Sequence, residues 1–145
     1  MLLRVKVEYI SSYNEDGIYR KENGEFLLRA DTFCTAEKAI ISIIKERYHP
    51  KEESDIVVTA INHYIIEPDM KSHDNADAKW FEIHVKMKEL DKSGIPKFKM
   101  YKYLKLAVDV TEAEEMISED LRSGGLFDDF KVTKVIEMPF KEVIA

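Results

Sequence analysis

Apolar residues recur at every second position at the start of the chain. Leu3, Val5, Val7 and Tyr9 share one face of a strand. The alternation of LLRVKVEY, from Leu2 to Tyr9, returns in WFEIHVKM, from Trp80 to Met87. Each run leads to a turn, around Asp16-Gly17 in one case and Asp91-Lys92-Ser93-Gly94 in the other. This predicts two hairpins, whose second strands end near Ala30 and Val108. The period then lengthens. Ala36, Ala39, Ile40, Ile43 and Ile44 fall at helical spacing, as do Ala113, Met116, Ile117 and Leu121. Thr111 with Glu114 reads as a capping box, and Cys34 with Glu37 takes the same positions in the first helix. Gly124-Gly125 ends the second helix, and Pro50 follows the first. A third strand closes each half, at about 56–66 and 130–138.

The halves run in parallel. The first strands coincide at a shift of 78 residues, the Gly-Ile turns and the strand-to-helix segments at 77, and the last strands at 74. A nearly constant offset points to an internal duplication. The expected fold is α+β: two tandem ββαβ repeats with antiparallel sheets and two amphipathic helices, related by a pseudo-two-fold axis. Residues 1–67 form the first repeat and 80–145 the second, packed as one unit. The polar, non-periodic stretch PDMKSHDNADAK, residues 68–79, links them.

Two local patterns carry a family resemblance. Trp80, Phe81, Ile83 and Val85 open the second half, and Ala107, Thr111, Ala113 and Glu114 lead into its helix. Together they resemble an uncharacterised domain-of-unknown-function family of short duplicated proteins from bacteria and their phages. The first half departs from the pattern, with Leu2 in place of the Trp and Cys34 at the cap. The resemblance covers most of the chain and implies the fold. It brings no catalytic residues.

Composition narrows the function classes. The chain has 145 residues, 45% hydrophobic and 34% charged, which suits a globular domain. No apolar run approaches the roughly 18–20 residues that span a bilayer. The N-terminus lacks a signal-peptide layout, so the expected location is the cytoplasm of a bacterium or of a phage-infected cell. Cys34 is the only cysteine, which excludes an internal disulfide and a multi-cysteine zinc site; at a helix terminus it reads as a passive cap. His73, Asp74 and Asp77 match no metal-ligand spacing, and Glu52-Glu53 and Asp128-Asp129 read as solvated turn charges. Phosphate loops, zinc-protease motifs, nucleophile elbows and dinucleotide fingerprints are absent from the sequence. The expectation is a protein that is not an enzyme, with no cofactor and no metal.

Charge distribution supplies the functional lead. Residues 79–105 hold eight lysines and three acids, a local +5 that leaves -11 for the rest of a chain of net charge -6. If Leu90 pairs with Ile95 across the turn, one face of the second hairpin is apolar, holding Phe81, Val85, Met87, Phe98, Met100 and Leu104 and interrupted only by Lys102. The other face aligns Lys88 with Lys97, Lys86 with Lys99, His84 with Tyr101, Glu82 with Tyr103, and Trp80 with Lys105. In the first half the equivalent pairs are Glu8 with Glu22 and Lys6 with Gly24, so the basic character belongs to the second half alone. Opposed lysines destabilise a strand pair, and such a local conflict is a mark of function. Aromatic rings beside lysines on an open sheet hold single-stranded nucleic acid by stacking and phosphate contact. The expected interface is therefore Trp80, His84, Lys86, Lys88, Lys97, Lys99, Tyr101, Tyr103 and Lys105, with single-stranded DNA as the leading ligand. Two other readings stay open. The lysines could solubilise a face or guard an edge. Alternatively, the protein is a regulatory adaptor that meets an acidic protein partner or forms a homodimer.

Overall fold

The computed structural model describes residues 1–13, 17, 19–48, 55–126 and 129–144. Asp16, Pro50, Glu52, Glu53 and Asp128 lie outside them. The elements run β1 (Leu2–Tyr13), β2 (Tyr19–Arg29), α1 (Phe33–Tyr48), β3 (Ile56–His63), β4 (Lys79–Leu90), β5 (Pro96–Ala107), α2 (Val110–Ser123), β6 (Phe130–Glu137) and β7 (Phe140–Ile144). The fold is mixed α+β, with two helices and two largely antiparallel sheets. Among the described residues no helix is long and apolar enough to cross a membrane.

The chain forms two compact units, Met1–Ile65 with Pro139–Ala145, and Ile66–Met138. In the first, the strand order is β3-β1-β2-β7. The odd residues Leu3, Val5, Val7 and Tyr9 face α1, whose Ala36, Ile40 and Ile44 are fully buried against them. Thr32 caps α1: its Oγ1 accepts from the Thr35 amide at 3.0 Å. Cys34 is exposed within the first turn and does not cap, because the helix begins one residue before it.

Strand β7 has no counterpart in the expected elements, since its run FKEVI does not alternate apolar with polar. It pairs in parallel with β2. A polar cluster holds it there. The Lys141 ammonium donates to Tyr9 Oη at 2.7 Å, and the Tyr9 hydroxyl donates to Glu22 at 3.0 Å. Lys141 also lies 5.2 and 5.3 Å from the ring centroids of Tyr9 and Tyr48. Burial lifts the Tyr9 hydroxyl above its ordinary pKa. Close approach here requires Gly24, where an added Cβ would stand 2.9 Å from Phe26 Cε2 and 3.3 Å from Lys141 Cδ.

In the second unit the strand order is β5-β4-β6. Phe81, Ile83, Val85 and Met87 face α2 and bury Ala113, Ile117 and Leu121. The α2 cap is Asp109, whose carboxylate accepts from the Glu112 amide at 2.8 Å, two residues ahead of the Thr111–Glu114 box expected. An aspartate in extended backbone satisfies an orphan helix donor as well as threonine does, and Asp109 reaches the position first. The segment from Ile66 runs along this unit. Pro68 bridges to Leu104 and the Asp69 amide donates to the Leu104 carbonyl at 2.9 Å. His73 Nδ1 accepts from the Asn75 amide at 2.9 Å, which puts the imidazole proton on Nε2, facing the Glu112 carboxylate.

Both central strands carry the same irregularity. Opposite β1, Lys6 pairs with Ala60 and Val7 with Val58, so Thr59 is the extra residue. Opposite β4, His84 pairs with Lys134 and Val85 with Val132, so Thr133 is. Each threonine hydroxyl donates to the carbonyl before the bulge: Thr59 to Lys6 at 3.3 Å and Thr133 to His84 at 3.2 Å.

Replacing Gly24 with Ala crowds Phe26 and Lys141 and is expected to cost about 1–3 kcal/mol, the range for overpacking. Tyr9→Phe removes the hydrogen bond that ties Lys141 to β1 and the one from Tyr9 to Glu22 of β2, and is expected to cost roughly 1–2 kcal/mol. Urea melts measure both, and amide exchange in residues 140–144 should quicken in each variant.

Candidate nucleic-acid interface

A three-residue loop decides which side chains share a face of the β4–β5 hairpin. The Asp91 amide donates to the Ile95 carbonyl at 3.0 Å, and the Gly94 amide to the Asp91 carbonyl at 3.0 Å. Asp91 Oδ1 accepts from the Ser93 and Ile95 amides. Gly94 sits at φ 77°, the left-handed conformation that ends a type I turn in a bulge. The ladder that follows pairs Leu90 with Pro96, Lys88 with Phe98, Lys86 with Met100, His84 with Lys102 and Phe81 with Lys105. The expected pairing of Leu90 with Ile95 is thus displaced by one residue. The first hairpin shows the same displacement: Glu8 stands opposite Asn23, and Lys6 opposite Glu25.

A one-residue shift sends the partner strand's side chains to the opposite face. The nine expected interface residues therefore divide. Trp80, His84, Lys86 and Lys88 lie on the open face of the sheet. Lys97, Lys99, Tyr101, Tyr103 and Lys105 lie on the α2 side, opposite Glu89, Met87, Val85, Ile83 and Phe81.

The α2-side residues have structural partners. Tyr101 and Tyr103 pack against the α2-side core. The Tyr101 hydroxyl donates to Glu89, and Lys97 lies 3.8 Å from Asp91. Lys105 is 5% exposed and donates to Asp69 at 2.7 Å and to Asp120 of α2. Burial by itself lowers the pKa of this ammonium, but its hydrogen bonds to the two carboxylates outweigh burial and raise it. The hydrogen bond from Lys105 holds the Asp69 carboxyl below its ordinary value.

The open face gains residues that the sequence had assigned elsewhere. Phe98 and Met100, expected in the core, are 63% and 49% exposed. Lys102 stands beside His84, and β6 contributes Lys131 opposite Lys86 and Lys134 opposite His84. The result is five exposed lysines, Lys86, Lys88, Lys102, Lys131 and Lys134, around Phe98 and Met100. Among the described residues none of the five makes an ion pair. Lys86 Nζ lies 4.4 Å from the Phe98 ring centroid. His84 Nε2 is bonded to Glu82 at 2.6 Å. Toward the other end of the face Trp80 and Leu104 are buried, at 8% and 1% exposure, so Trp80 is not available to a ligand.

The corresponding face of the first sheet is electrically closed. Arg4 meets Glu25 at 2.6 Å, Lys6 meets the same carboxylate at 3.7 Å, and Lys21 meets Glu8 at 2.9 Å. Two signals of the true register were present in the sequence. Asp at the first turn position with Gly at the fourth is a type I signature. Lys102, the one polar intruder on a supposed core face, marked that face as wrongly assigned.

Cysteine pairs test the register directly. In a Cys34→Ser background, Glu89→Cys with Lys97→Cys should form an intramolecular disulfide on mild oxidation, because those residues are cross-strand partners. Lys88→Cys with Lys97→Cys should not, and the reverse outcome would restore the Leu90–Ile95 pairing. Lys105→Ala leaves Asp69 and Asp120 with no cation between them and is expected to cost roughly 3 kcal/mol at neutral pH. Asp69's contribution is complete above its unfolded pKa of about 4 and fades as pH falls through the lower folded value. The melting-temperature gap between wild type and this variant should accordingly narrow in acid.

Residues 1–145 match the family described as Domain of unknown function (DUF4494), and the chain belongs to it. None of the curated proteins matches the chain.

Proposed function

We propose that this DUF4494 member is a small non-catalytic nucleic-acid-binding protein that holds single strands, DNA above all, on the open face of the β5-β4-β6 sheet. The observation that carries the reading is the contrast between the two open faces. One neutralises its cations with Glu8 and Glu25; the other leaves five lysines unpaired among the described residues, two of them directly opposed as Lys86 and Lys131. Like charges facing each other destabilise the sheet, and a bound polyanion relieves that. Lys86, Lys88, Lys102, Lys131 and Lys134 would track phosphates, while Phe98 offers a ring for stacking. His84, tied to Glu82 between Lys102 and Lys134, orients the middle of the face.

We also read the chain as a tandem duplication. What supports this is the shared β-β-α-β order, the first strand central in both sheets, and the matched bulges at Thr59 and Thr133. On that reading the open faces of the two copies have since diverged in charge.

A second reading, an adaptor for an acidic protein partner, draws on Leu90, Ile95, Phe98 and Met100, all exposed around the hairpin end. Salt dependence separates the two. Single-strand affinity should fall with a log–log slope of about -3.5 if five phosphates are neutralised, and Lys86→Glu with Lys131→Glu should flatten it by about 1.4. Lys97→Glu with Lys99→Glu, on the opposite face, should weaken binding much less. Absence of oligonucleotide binding at low salt, with a specific protein recovered after nuclease treatment, would favour the adaptor.

A further inference from the structure

Within the lysine face lies a groove of about 210 Å3 lined by Lys86, Lys88, Phe98, Asp129, Phe130 and Lys131. It sits where the turn end of the hairpin meets the start of β6, and the Lys88 amide donating to the Asp129 carbonyl at 2.8 Å fixes that junction. Pockets that enclose drug-sized ligands run to roughly 300–1,000 Å3, so this one suits a single heterocyclic ring. Phe98 gives the groove an exposed aromatic ring, which is what a stacked base requires, while the Phe130 ring packs on the α2 side.

Asp129 is the anomaly. Three lysines line the same groove, yet among the described residues its exposed carboxylate pairs with none of them. A carboxylate repels phosphate, so at this place it weakens the backbone attraction that the lysines create. What it offers is acceptors without donors. A base edge meets it favourably by presenting a donor, and cytosine N4, with two amino hydrogens, donating to an acidic side chain is such a pairing. Thymine and uracil present a carbonyl oxygen at that position, setting acceptor against acceptor.

We propose that this groove is a base subsite that prefers cytosine to thymine or uracil. Phe98 contacts the ring, Asp129 accepts from the exocyclic amine, and Lys86, Lys88 and Lys131 meet the adjoining phosphates. The inference rests on the single-strand reading above and adds base preference to it.

Fluorescence anisotropy with labelled homopolymers of cytosine and thymine deoxynucleotides, each about twelve residues long, tests it at pH 8 and constant salt. Equal lengths present equal phosphate charge, so the affinity ratio reports the bases. The cytosine strand should bind about five- to tenfold more tightly, the low end of what one base-edge pairing discriminates. Asp129→Ala should abolish the preference and raise affinity for the thymine strand, since a repulsive charge is lost. Asp129→Asn, which keeps an acceptor, should retain part of the preference. Equal binding of the two strands by the unaltered protein overturns the subsite while leaving the lysine face as the binding surface. A preference that survives Asp129→Ala overturns the role of Asp129. Failure of either strand to bind overturns this inference together with the single-strand reading.

Discussion

Side chains alternate strictly across a strand, so the register of β4 against β5 decides the character of both sheet faces at once. That register descends from one backbone conformation, Gly94 at φ 77°, which closes the loop after three residues. With it in place, Tyr101 and Tyr103 join the helix-side core and Lys105 reaches Asp69 and Asp120. Phe98, Met100 and Lys102 turn outward. A non-glycine residue at that position would bear the cost of left-handed backbone, and the alternative turn would exchange the two faces of β5.

The open faces of the two sheets differ in how their charges are paired. In the first unit, Glu25 serves both Arg4 and Lys6, and Glu8 serves Lys21. In the second, the open face combines Lys86, Lys88, Lys102, Lys131 and Lys134 with exposed apolar side chains. Folding does not require this arrangement, because the first sheet carries its open face without it. Selection for solubility alone would be met by charges of both signs, as the first sheet shows. The asymmetry is what the proposed binding role would account for.

Lysine plays a different part at two other places. Lys105 and Lys141 are held among carboxylates and tyrosine hydroxyls, and each fastens a segment remote in sequence: residues 66–69 along β5, and β7 beside β2. Of the two only Lys105 is buried, and a buried ammonium is retained only with good hydrogen bonding, since an unpaired one would be costly. Lys105 thus subtracts from the positive surface of residues 79–105, while Lys131 and Lys134 of β6 add to it.

The amino-acid sequence by itself determined the elements of both halves: the odd-numbered core faces of β1 and β4, and the apolar stripes Ala36-Ile40-Ile44 and Ala113-Ile117-Leu121. These follow from local periodicity, which needs no knowledge of the partner. It also contained, in Asp91 and Gly94, the information for the turn. Only the tertiary structure decided the pairing of β5, the exposure of Phe98, and the contribution of β6. It likewise decided the return of β7 to the first sheet and the ion pairs that withdraw Lys105 from the surface. The physical reason is common to all of these. Periodicity tells which residues of one strand share a side, whereas register, edge order and ion pairing depend on a second strand whose position a period of two leaves undetermined.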